Sequence, residues 1–277
     1  MKNKEKFIDE KVSDMEAENS SPKSQEEIMV EQLCEGMEAY EKKTGRVFLS
    51  SLSAGLEIGF SFMLIAIVYT FFKGKVADES LFYIGAFAYP VGFILVVLGK
   101  SILFTEQTSL LALPVLHKQR SLSELLKLWG WVVFGNLVGG YIIALLVIWV
   151  GTSLSVISYD SIAAIATHVS HYDVWVILGS AILAGWLMGL LSWLLTSADD
   201  TISRIVIIYV ITTIIGLAGL HHSIVGNIEV FAGLLTAKEI SFVSYLTFQV
   251  TALVGNAVGG VVFVAVLKYR TFAANFG

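Results

Sequence analysis

The chain has 277 residues, of which 56% are apolar and only 15% are charged, and its mean hydropathy is +0.75. A soluble domain carries about 25% charged residues, so this composition excludes an ordinary water-soluble protein and indicates an integral membrane protein. The net charge of −5 arises mostly before Val47, where 20 of the 41 charged residues lie, and it therefore says little about a ligand.

Residues 1–47 are predicted to form a cytoplasmic N-terminal region. The first 27 residues hold no apolar core, so they do not resemble a signal peptide. An amphipathic helix is expected over about 25–43, because Ser24 and Glu27 match a capping box and apolar residues recur at helical spacing beside glutamates. This helix either lies against the membrane bundle or gates its cytoplasmic mouth.

Residues 48–270 are expected to form an all-α integral membrane pore domain. A spanning helix needs about 20 apolar residues, and four segments fit that length: Phe48–Phe72, Trp129–Val150, Val174–Leu195 and Tyr245–Leu267. Two longer segments, Leu81–Leu116 and Ile205–Leu235, are interrupted by glycine and polar residues. Because a broken helix that crosses once satisfies such a length, we predict six transmembrane helices, with the second and fifth broken.

The distribution of Lys and Arg predicts the orientation. With the N-terminus in the cytoplasm, nine of these residues fall in inner segments after position 41 and three in outer loops, which agrees with the positive-inside rule. Both termini, including a tail over 271–277, are therefore expected in the cytoplasm, and the multi-pass protein is expected in a bacterial-type plasma (inner) membrane.

An internal repeat organises the membrane domain. Residues 121–140 reappear without a gap 120 positions later as 241–260, where FGNLVGG matches VGNAVGG at five of seven positions. Three crossings in each half would invert the second half, so both helix breaks would meet near the membrane midplane. The equivalent positions in the two breaks are expected to be Gly99 and Gly219.

Glycines at four-residue spacing recur in four of the predicted helices. This spacing lets helix backbones approach closely in lipid. We expect the pairs to pack helices within one subunit, with contacts between subunits as the alternative. The pairs are Gly55/Gly59, Gly135/Gly139, Gly185/Gly189 and Gly255/Gly259.

Ionisable side chains inside the membrane are the candidate site residues, because each is costly unless it is paired or hydrated. His221 and His222 are favoured as functional, since histidine exchanges a proton near neutral pH. A structural alternative is that Lys100 forms an ion pair with Glu57 or Glu229. The full set is Glu57, Lys100, Glu106, His221, His222 and Glu229.

Motifs typical of enzymes are absent from the sequence. The single cysteine, Cys34, excludes an internal disulfide and a cysteine-based metal site. The sequence contains no glycine-rich phosphate loop, nucleophile elbow or HExxH motif. We therefore predict that the protein is not an enzyme, needs no metal or other cofactor, and does not bind nucleic acid.

The chain resembles the formate/nitrite transporter family over essentially all of 25–270. The resemblance rests on Leu103-Phe104-Thr105, FGNLVGG, His222-Ser223 and GNAVGGVVFV (255–264), in this order and spacing. It implies an aquaporin-like six-helix fold with a pore in each subunit and a homopentamer in the lipid bilayer. It also implies passage of small monovalent anions such as formate and nitrite.

The resemblance further implies roles for individual residues. His222 corresponds to a central histidine that lies between two apolar constrictions, interacts with Thr105 and acts as a proton donor. Leu103 and Phe104 would form part of the cytoplasmic constriction. Lys100, His221, Glu106, Glu229, Asn227 and Glu57 are further candidates for the pore or substrate site.

The chain departs from the family pattern at both breaks. Lys100 is inserted before Leu-Phe-Thr, and the interval from His222 to Asn227 is one residue longer than usual. These features resemble a divergent, YfdC-like branch, whose substrate does not follow from the family name. A pore for a cation or a neutral solute, using the glutamates, remains an alternative, as does a non-conducting membrane scaffold or sensor.

Overall fold

The computed structural model describes residues 23–274, and every regular element in that part of the chain is helical. Helix α1 (Gln25–Glu41) begins at the predicted capping box. The Ser24 hydroxyl accepts the N–H of Glu27, and the Glu27 carboxylate accepts the N–H of Ser24. Much of the predicted N-terminal region (1–22) and the end of the predicted tail (275–277) lie outside the described residues.

The membrane domain consists of two similar sets of helices joined by a short helix. The first set is α2 (Thr44–Phe72), α3 (Asp78–Ala86), α4 (Pro90–Leu98), α5 (Phe104–Leu116) and α6 (Leu122–Ser153). The joining helix is α7 (Tyr159–Ser170). The second set is α8 (Val174–Thr196), α9 (Thr201–Leu217), α10 (Val225–Thr236), α11 (Phe242–Gly260), a π-helical segment (Val261–Val266) and α12 (Leu267–Ala274).

The repeat begins at equivalent helix caps. Ser121 caps α6 by accepting the N–H of Glu124, and Ser241 caps α11 by accepting the N–H of Ser244. A serine in this position satisfies a backbone N–H that has no partner within the helix. The two copies of the repeated segment therefore begin with the same local interaction.

Within residues 23–274, five helical stretches are long and apolar enough to cross a membrane. They are Thr44–Phe72, Asp78–Leu98, Leu122–Ser153, Val174–Thr196 and Phe242–Ala274. Helices α9 and α10 are apolar but contain only 17 and 12 residues. Each is therefore shorter than the roughly 20 residues that a single straight crossing requires.

Close helix contacts explain the repeated glycines. Helix α2 packs along α6, and α8 packs along α11. A Cβ atom on Gly55 or Gly139 would lie within 3.0 Å of backbone atoms across the first contact, and one on Gly185 or Gly259 would do so across the second. The expectation that these glycines pack helices within one subunit is confirmed at these positions.

Helices α1 and α7 lie at opposite ends of the bundle. Gln32 of α1 donates from Nε2 to Thr196 Oγ1 at the end of α8, at 2.8 Å. The α7 region instead contacts the far end of α2, where Ser158 N–H donates to Thr70 Oγ1 at 3.0 Å. We refer to these two ends as the α1 side and the α7 side.

Candidate functional site

Two interruptions of the helices define the candidate site. The first break covers 99–103, between α4 and α5, and the second covers 218–224, between α9 and α10. In each break one residue adopts a left-handed conformation, with φ of 55° at Lys100 and 60° at Gly219. The residue equivalent to Gly219 is therefore Lys100, and the predicted pairing with Gly99 is wrong by one position.

The hydrogen bonds that end α4 and α9 are also equivalent. The N–H groups of Lys100 and Ser101 donate to the carbonyls of Val97 and Val96, at 3.1 and 3.0 Å. In the second break the N–H groups of Gly219 and Leu220 donate to Gly216 and Ile215, at 3.2 and 3.0 Å. This is the Schellman arrangement, which satisfies helix carbonyls that would otherwise lack a donor.

One asparagine holds the backbone of each break. Asn136 of α6 accepts the N–H of Phe104 at 2.8 Å and donates to the carbonyls of Ser51 and Ile102, at 2.7 and 2.9 Å. Its side chain is fully buried. Each break exposes backbone groups that lipid cannot satisfy, so a buried amide that supplies both a donor and an acceptor is a suitable partner.

Asn256 of α11, 120 residues later, makes the same three contacts. It accepts the N–H of Ser223 at 2.7 Å and donates to the carbonyls of Ala181 and His221, at 2.8 and 3.0 Å. Both asparagines lie in the repeated motif, but the prediction relied only on its glycines. A polar residue at the same place in two membrane helices was the signal that could have identified them.

The two breaks meet at His222 and Thr105. His222 Nε2 lies 2.6 Å from Thr105 Oγ1. Thr105 lies in the first turn of α5, and His222 lies three residues before the start of α10. The contact therefore lies beside the N-terminal ends of two helices, which carry partial positive charge.

The hydrogen bonds of His222 identify its tautomer. Its Nδ1 accepts the backbone N–H groups of Ile224 and Val225, at 3.3 and 3.2 Å. A ring nitrogen that accepts cannot also carry a proton. The proton of this neutral ring is therefore on Nε2, which donates to Thr105 Oγ1.

Apolar side chains enclose the histidine–threonine pair. His222 and Thr105 are 2% and 1% exposed, and Leu103 and Phe104 are equally buried. The Phe93 ring meets the His222 ring edge to face, with 5.1 Å between the centroids.

A cavity on the α7 side leads to the pair. It extends from Tyr172, which is 38% exposed at the surface, to His222 and Glu229 inside the bundle. Its polar lining consists of Tyr69, Tyr89, His168, Tyr172, His221, His222 and Glu229.

His221 and His168 lie beside this cavity, and their surroundings favour neutral rings. His221 Nε2 lies 3.0 Å from the carbonyl of Val169, which can only accept, and Nδ1 lies 2.8 Å from Ser180 Oγ. A neutral ring with its proton on Nε2 satisfies both contacts. Burial lowers the pKa of His168, and the nearby His171 acts in the same direction.

Three other predicted residues lie at the first break or next to it, away from the cavity. Lys100 is exposed. Desolvation raises the pKa of Glu35 in α1, and the charge of Lys100 opposes this shift only weakly. Glu57 Oε2 is buried beside Gly99 without a hydrogen-bond partner among the described residues. Glu106 accepts a hydrogen bond from Gln107 at 2.8 Å.

The alternative that Lys100 neutralises Glu57 or Glu229 is not supported. Among residues 23–274 neither ion pair is formed, because the Lys100 side chain lies in an exposed turn at the end of α4.

Asn227 also lies away from the cavity. Its Oδ1 accepts the Tyr245 hydroxyl at 2.6 Å, and that hydroxyl lies 2.6 Å from the hydroxyl of Tyr141.

In the described part of the chain, no group of three or more His, Cys, Asp or Glu side chains could hold a metal ion.

Tyr69 and Tyr89 are site residues that the sequence did not reveal. They come from α2 and from the turn before α4, and only the packing of these segments brings both phenols to the cavity. A tyrosine in an apolar segment carries no signal of such a role.

Comparison with known proteins agrees with the resemblance found in the sequence. A family model described as formate/nitrite transporter matches residues 26–270. The inner membrane protein YfdC of Escherichia coli (strain K12) is 28% identical over 244 residues, which cover 85% of this chain and 74% of that protein.

Two solved structures share the fold. One is an FNT family ion channel with a TM-score of 0.78 and 21% identity, covering 88% of this chain and 98% of that chain. The other is a pentameric formate channel with formate bound, with a TM-score of 0.69 and 22% identity, covering 83% of this chain and 98% of that chain.

Proposed function

Because the chain belongs to the formate/nitrite transporter family and resembles its YfdC-like branch, we propose that this multi-pass membrane protein is a channel for small monovalent anions or for their neutral weak acids. The observation that carries the proposal is the contact of 2.6 Å between His222 and Thr105, where the two helix breaks meet. The family is one of transporters and channels, which agrees with the prediction that the protein is not an enzyme.

Helix ends and apolar walls supply the proposed selectivity. The N-terminal ends of α5 and α10 favour an anion near the His222–Thr105 pair. A solute that takes the place of Thr105 would receive the N–H of His222 Nε2. Leu103, Phe104 and Phe93 then form a dry section, which a neutral acid crosses at far lower cost than an ion.

The role of His222 as a proton donor is the finer part of this proposal. Donation of a proton by a cationic ring first requires a second proton, on Nδ1. That proton would break the contacts with the N–H groups of Ile224 and Val225. In the neutral state His222 therefore acts as a hydrogen-bond donor, and it becomes a proton donor only after those contacts open.

The same proposal includes the predicted architecture. Helices α9 and α10 together would make the sixth crossing, because their combined length is sufficient although neither is long enough alone. The two halves would be inverted, both termini would lie in the cytoplasm, and the membrane would be an inner membrane. A homopentamer is proposed because one structural relative is described as a pentameric formate channel.

Flux through the purified protein in liposomes tests the proposal. Formate and nitrite should cross the wild type, and Thr105→Val should lower the flux about tenfold, the equivalent of one hydrogen bond of about 1.4 kcal/mol. His222→Ala should lower it at least as much. His171→Ala is the matched control, because this histidine is exposed at the end of α7. Failure of the wild type to pass any small monovalent anion would refute the proposal.

A cation pore is the second candidate, and one observation favours it. Glu229 is the carboxyl group that lines the α7-side cavity, and no Lys or Arg is found among the described residues that line it. Reversal potentials measured in asymmetric salt distinguish the two functions. An anion channel shifts toward the equilibrium potential of the anion, whereas a cation pore shifts in the opposite direction.

A further inference from the structure

Glu229 is a buried carboxyl group without a partner. Its side chain is 6% exposed and lines the same α7-side cavity as His222. Among residues 23–274 it makes no hydrogen bond or ion pair. An ionised carboxylate is costly in such a place, so the group either holds a proton or meets a cation.

The other groups in the cavity do not neutralise this carboxyl. The titratable side chains that line the cavity with Glu229 are Tyr69 of α2, Tyr89 before α4, His168 of α7, Tyr172, His221 and His222. The hydrogen bonds of His221 and His222 are satisfied by neutral rings. Tyr141 of α6 and Tyr245 of α11 lie on the opposite side of α10, with Asn227.

A small acid anion in this cavity needs a proton before it can cross the dry section as a neutral molecule. The Nε2 proton of neutral His222 is far too weakly acidic to be given away. A small carboxylate in this cavity loses hydration just as the ionised side chain of Glu229 does. Moving the proton from one carboxyl group to the other leaves a single negative charge in the cavity before and after the step, so the desolvation cost largely cancels.

We propose that Glu229 exchanges the proton with the transported species in the α7-side cavity. In this step the O–H bond of the Glu229 carboxylic acid breaks and an O–H bond forms on the anion. The products are the neutral acid and the Glu229 carboxylate. The carboxylate then takes a proton from the solution on the α7 side, so one proton moves with each anion.

The lining of the cavity suits this exchange. Among the described residues, the hydroxyls of Tyr69 and Tyr89 have no hydrogen-bond partner, so they are free to orient an oxygen-bearing solute next to Glu229. The cavity also continues to Tyr172 at the surface, which provides a route for the returning proton. This inference rests on the proposed channel function and identifies the form of the substrate as a weak acid.

Proton-coupled formate uptake into liposomes, followed with an internal pH-sensitive dye, tests the inference. In the wild type, uptake should rise as the pH on the α7 side falls from 8 to 5 and should carry one proton per formate. Glu229→Gln keeps the shape but cannot exchange a proton, so proton-coupled uptake should fall about a hundredfold, the lower range for a positioned proton donor. Glu229→Asp should restore part of the pH-dependent uptake.

The matched control is Glu239→Gln, which removes an exposed carboxyl group next to a surface depression on the same side. It should leave the uptake and its pH dependence unchanged. Size-exclusion profiles and melting temperatures of all variants establish that each is folded. If Glu229→Gln transports formate with the pH dependence of the wild type, the inference is overturned while the proposed function stands.

Two other outcomes would also overturn the inference. If methylammonium crosses the wild type and Glu229→Gln abolishes that flux, the carboxylate binds a cation instead. If the wild type passes no small monovalent anion at any pH, the proposed function fails and the inference fails with it. The two outcomes are distinguished by what crosses the wild type, which is methylammonium in the first case and no small monovalent anion in the second.

Discussion

The two helix breaks have equivalent backbone conformations but different side chains. In both, a left-handed residue ends the first helix and one buried asparagine binds the backbone that follows. The second break adds His222, which lines a cavity that also contains Glu229 and reaches the surface. Helix α5, which follows the first break, contributes Thr105 to the same site, but Lys100, the charged residue of that break, lies in an exposed turn on the α1 side.

This difference separates the scaffold from the function. Features that occur in both halves maintain the fold, because they satisfy the backbone and allow the helices to approach closely. Features that occur in only one half are the candidates for selectivity. Variants paired between the two halves test whether a shared feature has the same energetic role in both, and a variant of the joining helix α7 tests a feature that has no counterpart.

The largest expected effect is the loss of the two asparagines. Asn136→Ala and Asn256→Ala each leave one N–H and two carbonyls without their partner, at about 1–3 kcal/mol for each buried group. We expect a large and similar fall in the melting temperature of the purified protein. Asn136→Asp and Asn256→Asp serve as controls that keep an acceptor but lose the donor. A fall in melting temperature for only one of the two alanine variants would contradict the equivalence of the breaks.

Next in size is the loss of close helix contacts. Gly139→Ala and Gly185→Ala would each place a methyl group against the backbone of a neighbouring helix, at a cost of about 1–3 kcal/mol. Gly130→Ala and Gly179→Ala lie in the same helices, α6 and α8, with no atom within 4 Å of the added carbon. These controls should gain up to about 1 kcal/mol, since alanine is the better helix former. Equal melting temperatures for test and control variants would show that the contacts do not limit stability.

A smaller effect is expected at the left-handed residues. Gly219→Ala should cost about 1–2 kcal/mol, because a Cβ is unfavourable in this conformation. Lys100→Gly should be more stable than the wild type by a similar or smaller amount, since Lys100 already bears that cost. Lys100→Ala controls for loss of the charge and should be close to neutral. The measurement is the melting temperature, and a stabilised Gly219→Ala variant would contradict the shared turn.

The smallest effect concerns the pH dependence on the α7 side. Because burial lowers the pKa of His168, the unfolded chain binds a proton at higher pH than the folded protein does. Stability should therefore fall as the pH drops below about 6.5. His168→Asn should weaken this dependence in melting curves between pH 5 and 8. If the melting temperature of His168→Asn varies with pH as much as that of the wild type, His168 does not contribute to the pH dependence of stability.

Several aspects of the fold and site were accessible from the sequence because they depend on composition and spacing. The 120-residue repeat predicted equivalent helices, and glycines at four-residue spacing predicted their close contacts. The polar interruption before Phe104 and the histidines before Val225 marked the regions where the helices break. The resemblance to the transporter family pointed to the pairing of His222 with Thr105, and the structure places the two atoms 2.6 Å apart.

Other aspects required the tertiary structure. The repeat matched Gly99 with Gly219, because the two glycines lie 120 residues apart, but the hydrogen bonds at the end of α4 give the positive φ to Lys100 instead. The sequence also placed Glu57, Glu106 and Glu229 in one set of candidate site residues. The direction of each side chain separates them, so that only Glu229 faces the cavity on the α7 side.

By itself, the sequence determined that this is a helical membrane protein built from two related halves with one break in each, because hydrophobic length, glycine spacing and repetition are local properties of the chain. Only the tertiary structure decided which polar groups meet. Helix rotation and the course of two non-helical segments bring Thr105 to His222 and turn Asn227 toward Tyr245. Such contacts depend on angles between distant segments, which no local pattern records.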